Sequence, residues 1–208
     1  MSETALILLA AGSASRMGQA KQLLEFGGQP MVRHAAATAL RAGCSPVIVV
    51  IGAHGAEVRE ALRELPVELV ENPRWAEGMG TSIQAGLRAL NGREASGAIL
   101  ALADQPFVSH EFLRRLTDEH TGSAKAIIAS RYSGTVGVPV FFSHESLGLL
   151  ERLKPAEGCK GVILGNAGDV LLLDCPEAAT DIDTPEDYAR IAAIAAATPR
   201  EQRIDPLR

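Results

Sequence analysis

The chain has 208 residues, 47% of them hydrophobic and only 4% aromatic, and a net charge of −5 from 20 Lys and Arg against 25 Asp and Glu. That length suits one domain with an aliphatic core, the usual filling between helices and a parallel sheet. The acidic balance argues against a general nucleic-acid or anionic-membrane surface, and no stretch approaches the about 20 apolar residues of a membrane span.

The three cysteines, Cys44, Cys159 and Cys175, have no CxxC spacing, so neither a disulfide framework nor a zinc site is expected. The five histidines are equally scattered. The apolar N-terminal run follows Glu3 rather than a cation, so it does not read as an export signal, and a reducing cytoplasm is expected.

In chain order, Leu6 to Ala10 predicts a short buried strand. A loop of small residues and two cations follows. Pro30 to Ala42 predicts a helix, with Pro at its start and Gly43 past its end. Val47 to Ile51 is a β-branched strand, Ala56 to Leu65 a helix, and Val67 to Val70 a strand. After a loop from Asn72 to Gly80, Thr81 with Gln84 three residues on forms a capping-box pattern for the next helix. Ala98 to Ala103 is a strand, and Ser109 caps a helix running to about His120. Ala126 to Ser130 and Val138 to Phe142 are strands, Glu145 to Leu153 and Lys160 to Leu164 helices, and Val170 to Leu173 the last strand. Thr184-Pro185-Glu186-Asp187 opens the final helix with a capping Thr, Pro in the first turn and acids at the positive end of the dipole.

This alternation predicts an α/β fold: a doubly wound, mostly parallel sheet with helices on both faces and an antiparallel excursion in the second half. One domain is expected over 1–197, with 198–208 as a loose tail.

In such sheets ligands bind at the carboxyl ends of the strands. The loop after Ala10 stands there. Gly12 and Gly18 permit positive φ and close approach of a ligand. Ala11, Ser13, Ala14 and Ser15 leave backbone N–H groups uncovered, as in an anion nest. Arg16 offers a bidentate fork and Lys21 a point charge. The loop fails the P-loop pattern, because Gly18 is followed by Gln19-Ala20-Lys21. It fails GxGxxG because its glycines are six apart. On residues alone, a polyphosphate cradle and an ordinary surface loop remain equal readings.

Three further segments carry chemistry. "AILALADQPFV" ends a strand on Asp104, which suits a Mg²⁺ ligand or the start of a turn. "NPRWAEGMGTSIQAGL" puts Gly78, Gly80, Thr81 and Ser82 at a helix N-terminus, which is an anion site or simply a cap. Trp75 beside it reads as packing, with stacking on a base or pterin as the alternative. "TDIDTPEDY" places Asp181 and Asp183 before the last helix, as a second metal carboxylate or as dipole decoration.

"LAAGSASRMGQAK", Leu9 to Lys21, resembles the signature loop of the nucleotidyltransferases that act on sugar phosphates and on the molybdenum cofactor. The resemblance extends from Leu6 to about Ile194 and is strongest here, then at Asp104-Gln105-Pro106. It implies that Arg16 and Lys21 contact a nucleoside triphosphate and that Leu9, Ala10, Ala11 and Gly12 lie beside the base, with Gly80 and Ser82 near base and ribose. It also implies Asp104 as a ligand of Mg²⁺, with Asp183 chosen over Asp181 as a second, and Arg16, Lys21 and Asp104 as the catalytic set.

Leu-Ala-Ala-Gly resembles the cytidylyl branch and Leu-Ala-Gly-Gly the guanylyl branch. The β-carbon of Ala11 narrows the space for a base and fits CTP. The implied reaction transfers CMP from CTP to the terminal phosphate of molybdopterin with release of pyrophosphate, and a recipient molybdoenzyme is an implied partner. "GTVGVPVFF" resembles the family's acceptor-side strand. Gly158-Cys159-Lys160-Gly161-Val162-Ile163 departs from the Gly-Asp-x-Gly-Ala-Arg of the cytidylyl branch, with Lys160 as a partial stand-in for the arginine. Another NTP, a sugar or alcohol phosphate acceptor, or a non-catalytic nucleotide-binding accessory role are the alternatives.

Overall fold

The computed structural model describes residues 3–13, 20–180 and 187–191. Strand β1 is Glu3–Ala10. A short hairpin follows, β2 (Glu25–Phe26) and β3 (Gln29–Pro30), and leads into α1 (Met31–Arg41). Then come β4 (Val47–Ile51), α2 (Gly55–Ala61), β5 (Glu68–Glu71), α3 (Met79–Leu90) and β6 (Ala95–Leu102). The second half holds α4 (His110–Ser123), β7 (Ile127–Tyr132), β8 (Thr135–Ser143), α5 (Gly148–Glu151), α6 (Lys160–Gly165) and β9 (Val170–Asp174).

The main sheet has seven strands in the order β5-β4-β1-β6-β8-β7-β9. Strands β5, β4, β1 and β6 are parallel. Strand β8 runs antiparallel to both β6 and β7, and β9 is parallel to β7. This is the expected antiparallel excursion. The chain winds outward from β1 through β4 to β5, then returns to β6 on the other side of β1. A crevice therefore opens past the carboxyl ends of β1 and β6, where the winding reverses.

Both faces of the sheet are covered, which is why β1 and β4 read as unbroken apolar runs rather than alternating ones. Ile7, Leu9, Ile48, Val50, Leu100 and Phe142 pack under α3 and α5, with Ile83, Leu87 and Leu150. Leu6, Leu8, Val49, Ile51, Ile99 and Phe141 pack under α1, α2 and α4, with Val32, Val58, Leu113 and Leu116. Each fully buried aliphatic or aromatic side chain contributes about 1.5–3 kcal/mol.

Several local expectations change. Helix α2 stops at Ala61 rather than Leu65, because the chain turns there to reach β5. Helix α4 runs on to Ser123 and ends at Ala124 in a left-handed conformation. Ser109 caps α4 as expected, accepting from the Phe112 N–H at 3.2 Å. The expected helix over 145–153 is a 3₁₀ turn plus the single turn of α5. The capping box at Thr81 does not form. Helix α3 begins at Met79, and Gln84 instead donates to the carbonyls of Glu151 and Leu153 at 3.0 and 2.8 Å. The tail at 198–208 and the start of the last helix lie outside the described residues; 187–191 are helical.

Candidate active site

Strand β1 ends at Ala10, and the chain continues as Ala11-Gly12-Ser13 over the edge of the sheet. Gln22 holds this turn from below. It is buried, and its Nε2 donates to the carbonyls of Gly12 at 3.1 Å and Ala10 at 3.4 Å. With those carbonyls engaged on one side, the backbone from Ala10 to Ser13 faces a pocket of about 400 Å³.

The pocket is lined by Leu9, Ala10, Ala11, Gly12, Ser13, Lys21 and Gln22 from the first loop. Trp75, Ala76, Gly78, Met79 and Ser82 come from the segment entering α3, and Leu102, Ala103 and Asp104 from the end of β6. Residues distant in sequence converge here because β1 and β6 are neighbours at the reversal of winding. Asp104 stands two residues past the end of β6.

Seven of the candidates thus share one pocket: Leu9, Ala10, Ala11, Gly12, Lys21, Ser82 and Asp104. Gly80 does not join them. It lies in the first turn of α3, with its N–H donating to the Pro155 carbonyl at 2.9 Å, and a β-carbon there would strike the Lys154 carbonyl. Its amide is spent on folding, not open to an anion. Arg16, Asp181 and Asp183 lie outside the described residues, as do Ala14, Ser15 and Gly18. Lys160 is exposed at the start of α6 and does not line the pocket.

Gly12 needs a different account from the one its loop position invites. Its φ is not in the left-handed region, and among the described residues a β-carbon on it would meet nothing within 4 Å. Among the described residues no neighbouring atom excludes a side chain there, and Gly12 lines the pocket. Gly78 is the reverse case. Its φ is 130°, and a β-carbon on it would stand 2.5 Å from the Pro155 carbonyl oxygen; both require glycine. Trp75 serves packing and pocket together: a β-carbon at Gly52 would stand 2.7 Å from its side chain, and Trp75 also lines the pocket.

The turn carrying Asp104 is pinned on both flanks. Gln105 is buried and donates to the Ala178 carbonyl at 2.9 Å. His34 on α1 shares a 3.0 Å hydrogen bond with the Pro106 carbonyl, donating from Nε2. Phe26 of the hairpin meets His34 and Phe107 edge-on, at 4.8 and 5.4 Å between centroids. Burial holds the His34 pKa below its ordinary value, against the raising effect of the bond to Pro106. The neutral ring is the form that fits this place.

The donor set suits a hard cation. Asp104 supplies carboxylate oxygen, and neither His nor Cys lines the pocket. Among the described residues no group of three or more His, Cys, Asp or Glu is placed to hold a metal. A cation bound by one or two carboxylates and completed by substrate phosphates needs no such cage. Thiolate chemistry has no footing. Burial pushes Cys44 and Cys159 up to about 12 and Cys175 up to about 11.

The MobA-like NTP transferase domain matches residues 6–170. The chain belongs to this family. Among its relatives is nicotine blue oxidoreductase of Paenarthrobacter nicotinovorans, 32% identical over 89% of this chain and 94% of its own. The molybdenum cofactor cytidylyltransferase of Escherichia coli K12 is 27% identical over 90% of this chain and 95% of its own. In fold, the chain is similar to the crystal structure of Rv0371c from Mycobacterium tuberculosis H37Rv: TM-score 0.76 and 33% identity, covering 92% of this chain and 98% of that one. A second structure of Rv0371c is a complex with manganese. No helix among the described residues is long and apolar enough to cross a membrane.

Proposed function

We propose that this MobA-like chain transfers CMP from CTP to the terminal phosphate of molybdopterin, releasing pyrophosphate. The observation that carries the reading is the single pocket in which Leu9 to Gly12, Lys21, Ser82 and Asp104 converge at the reversal of the sheet. The similarity to the E. coli molybdenum cofactor cytidylyltransferase supports the acceptor, and the β-carbon of Ala11 supports the smaller pyrimidine base.

The backbone of Ala10 to Gly12 borders the base, with Ser82 opposite. An acceptor phosphate oxygen attacks the α-phosphorus, the bond from that phosphorus to the bridging oxygen breaks, and pyrophosphate leaves. The acceptor is already ionised near neutral pH, so the chain need not supply a strong base. Its work is alignment and charge neutralisation. Lys21, with Arg16, balances the charge that gathers on the leaving pyrophosphate. Asp104, with Asp183 as the second carboxylate, would hold Mg²⁺, which supplies further neutralisation between carboxylate and phosphates. Cytoplasmic CTP and a phosphorylated pterin are the partners of this reaction, and a molybdoenzyme is its recipient.

The test is incorporation of labelled nucleotide into molybdopterin, run with CTP and with GTP. Label from CTP is expected. Label from GTP alone would overturn the base assignment. The oxidoreductase relative at 32% identity motivates one control, redox turnover of nicotine blue in the same preparation; such turnover without nucleotide incorporation would replace the transferase reading.

A further inference from the structure

Asn72 lies just beyond β5, buried between the sheet edge and the first turn of α3. Its backbone N–H donates to the Ile51 carbonyl at 2.8 Å, which fixes its place. Its side-chain Oδ1 accepts from the Arg74 backbone N–H at 3.0 Å. A backbone N–H can only donate, so the orientation of the amide is settled: Nδ2 must face the other way. There it donates to Thr81 Oγ1 at 2.8 Å and to Ser82 Oγ at 3.0 Å.

The two hydroxyls then differ. Thr81 passes its proton to a carbonyl, Gly78 at 2.8 Å or Arg74 at 2.9 Å, and both are acceptors only. Thr81 is fully committed to the fold. Ser82 is also a buried residue and its hydroxyl accepts from Asn72, but no acceptor among the described residues takes its proton. Ser82 lines the pocket, and Thr81 does not. A hydroxyl has one proton, and a buried one without an acceptor loses the worth of a hydrogen bond.

We infer that Asn72 is a specificity-positioning residue: it occupies one lone pair of the Ser82 hydroxyl and turns the Ser82 proton toward the ligand, which is bound best when it presents an acceptor there. This rests on the reading of the pocket as a nucleotide site. The fitting chemistry is a nucleobase edge with a carbonyl oxygen or an unprotonated ring nitrogen facing Ser82. A base edge offering only N–H groups would leave the Ser82 proton without an acceptor and be disfavoured.

The test measures CTP and GTP affinity by calorimetry, with Mg²⁺, on the full chain and three variants: Ser82→Ala, Asn72→Asp and the double variant. A carboxylate at position 72 still accepts from Arg74 but can no longer donate to Ser82, and draws the Ser82 proton away from the pocket. Ser82→Ala is expected to weaken binding of the preferred nucleotide roughly three- to ten-fold with thermal stability retained. Asn72→Asp is expected to weaken it similarly, and to have no further effect in the Ser82→Ala background. A merely structural Asn72 would lower affinity in both backgrounds. That additivity, or an unchanged Kd in Ser82→Ala alone, would overturn the inference even where Asn72→Asp folds poorly. Wild-type protein that binds neither nucleotide would overturn the nucleotide reading itself, and this inference with it.

Discussion

Gly12 and Gly52 sit at similar points, each just past the end of a central strand, yet for opposite reasons. Among the described residues the space beside Gly12 is open, so Gly12→Val is expected to leave unfolding free energy within about 0.5 kcal/mol and to weaken nucleotide binding, read by urea denaturation and by calorimetry. Space beside Gly52 is filled by Trp75, so Gly52→Ala should cost about 1–3 kcal/mol through overpacking. His34 carries a pH dependence. Burial lowers its pKa from 6.5 in the folded chain. As pH falls below 6.5 the unfolded chain takes a proton that the folded chain resists, so stability drops toward acid and is unaffected above that range. His34→Gln, whose amide can still donate to the Pro106 carbonyl, is expected to flatten that part of the stability curve. Equal slopes in both proteins would remove His34 from the acid response. At this scale the sequence marks residues that the fold then gathers around one pocket: Leu9 to Gly12, Lys21 and Asp104. It does not disclose Gln22, Asn72 or Gln105. Their amides act on carbonyls and hydroxyls brought near only by the folded chain, and no spacing signals that.

Helix α3 shows how an element can be legible in kind and different in detail. Its apolar stripe of Ile83, Leu87 and Leu90 is plain in the sequence, and all three are buried. Its N-cap is Gly78, three residues earlier than the Thr81 cap that the pattern implies. Thr81 and Gln84 fit a capping box in isolation, but Gln84 finds better partners in the segment before Pro155, and Gly78 can enter the helix directly. The same shift draws Gly80 into the helix, where its N–H donates to the Pro155 carbonyl. The strap from Glu151 to Glu157 over α3 should be energetically visible. Gln84→Ala is expected to cost about 1–2 kcal/mol, since two carbonyls lose their donor, measured as a shift in denaturant midpoint at constant slope. The hairpin β2–β3 is not legible beforehand, although Gly27-Gly28 is a two-residue turn signal. Its strands are only two residues long, too short for any alternation to register.

At the scale of the whole molecule, the order of strands carries most of the weight. Alternating strands and helices with apolar runs make a doubly wound sheet legible, and the irregular second half makes an antiparallel excursion legible, though not that β8 is the strand that reverses. The pairing of β9 beside β7 is not, because nothing local distinguishes one sheet edge from another. The three cysteines, all buried and held as thiols, predict slow alkylation of the native protein by iodoacetamide and rapid alkylation in denaturant, read by mass spectrometry. Fast native labelling would mean that the sheet opens far more readily than two covered faces allow.

The most direct measurement is pyrophosphate release from CTP, molybdopterin and Mg²⁺, with each omitted in turn and with Asp104→Asn in place of the wild-type chain. Release is expected only from the complete mixture, to be lost in Asp104→Asn while some CTP binding remains. No release from the complete mixture, or full release by Asp104→Asn, would contradict a nucleotidyl transfer centred on the pocket between β1 and β6.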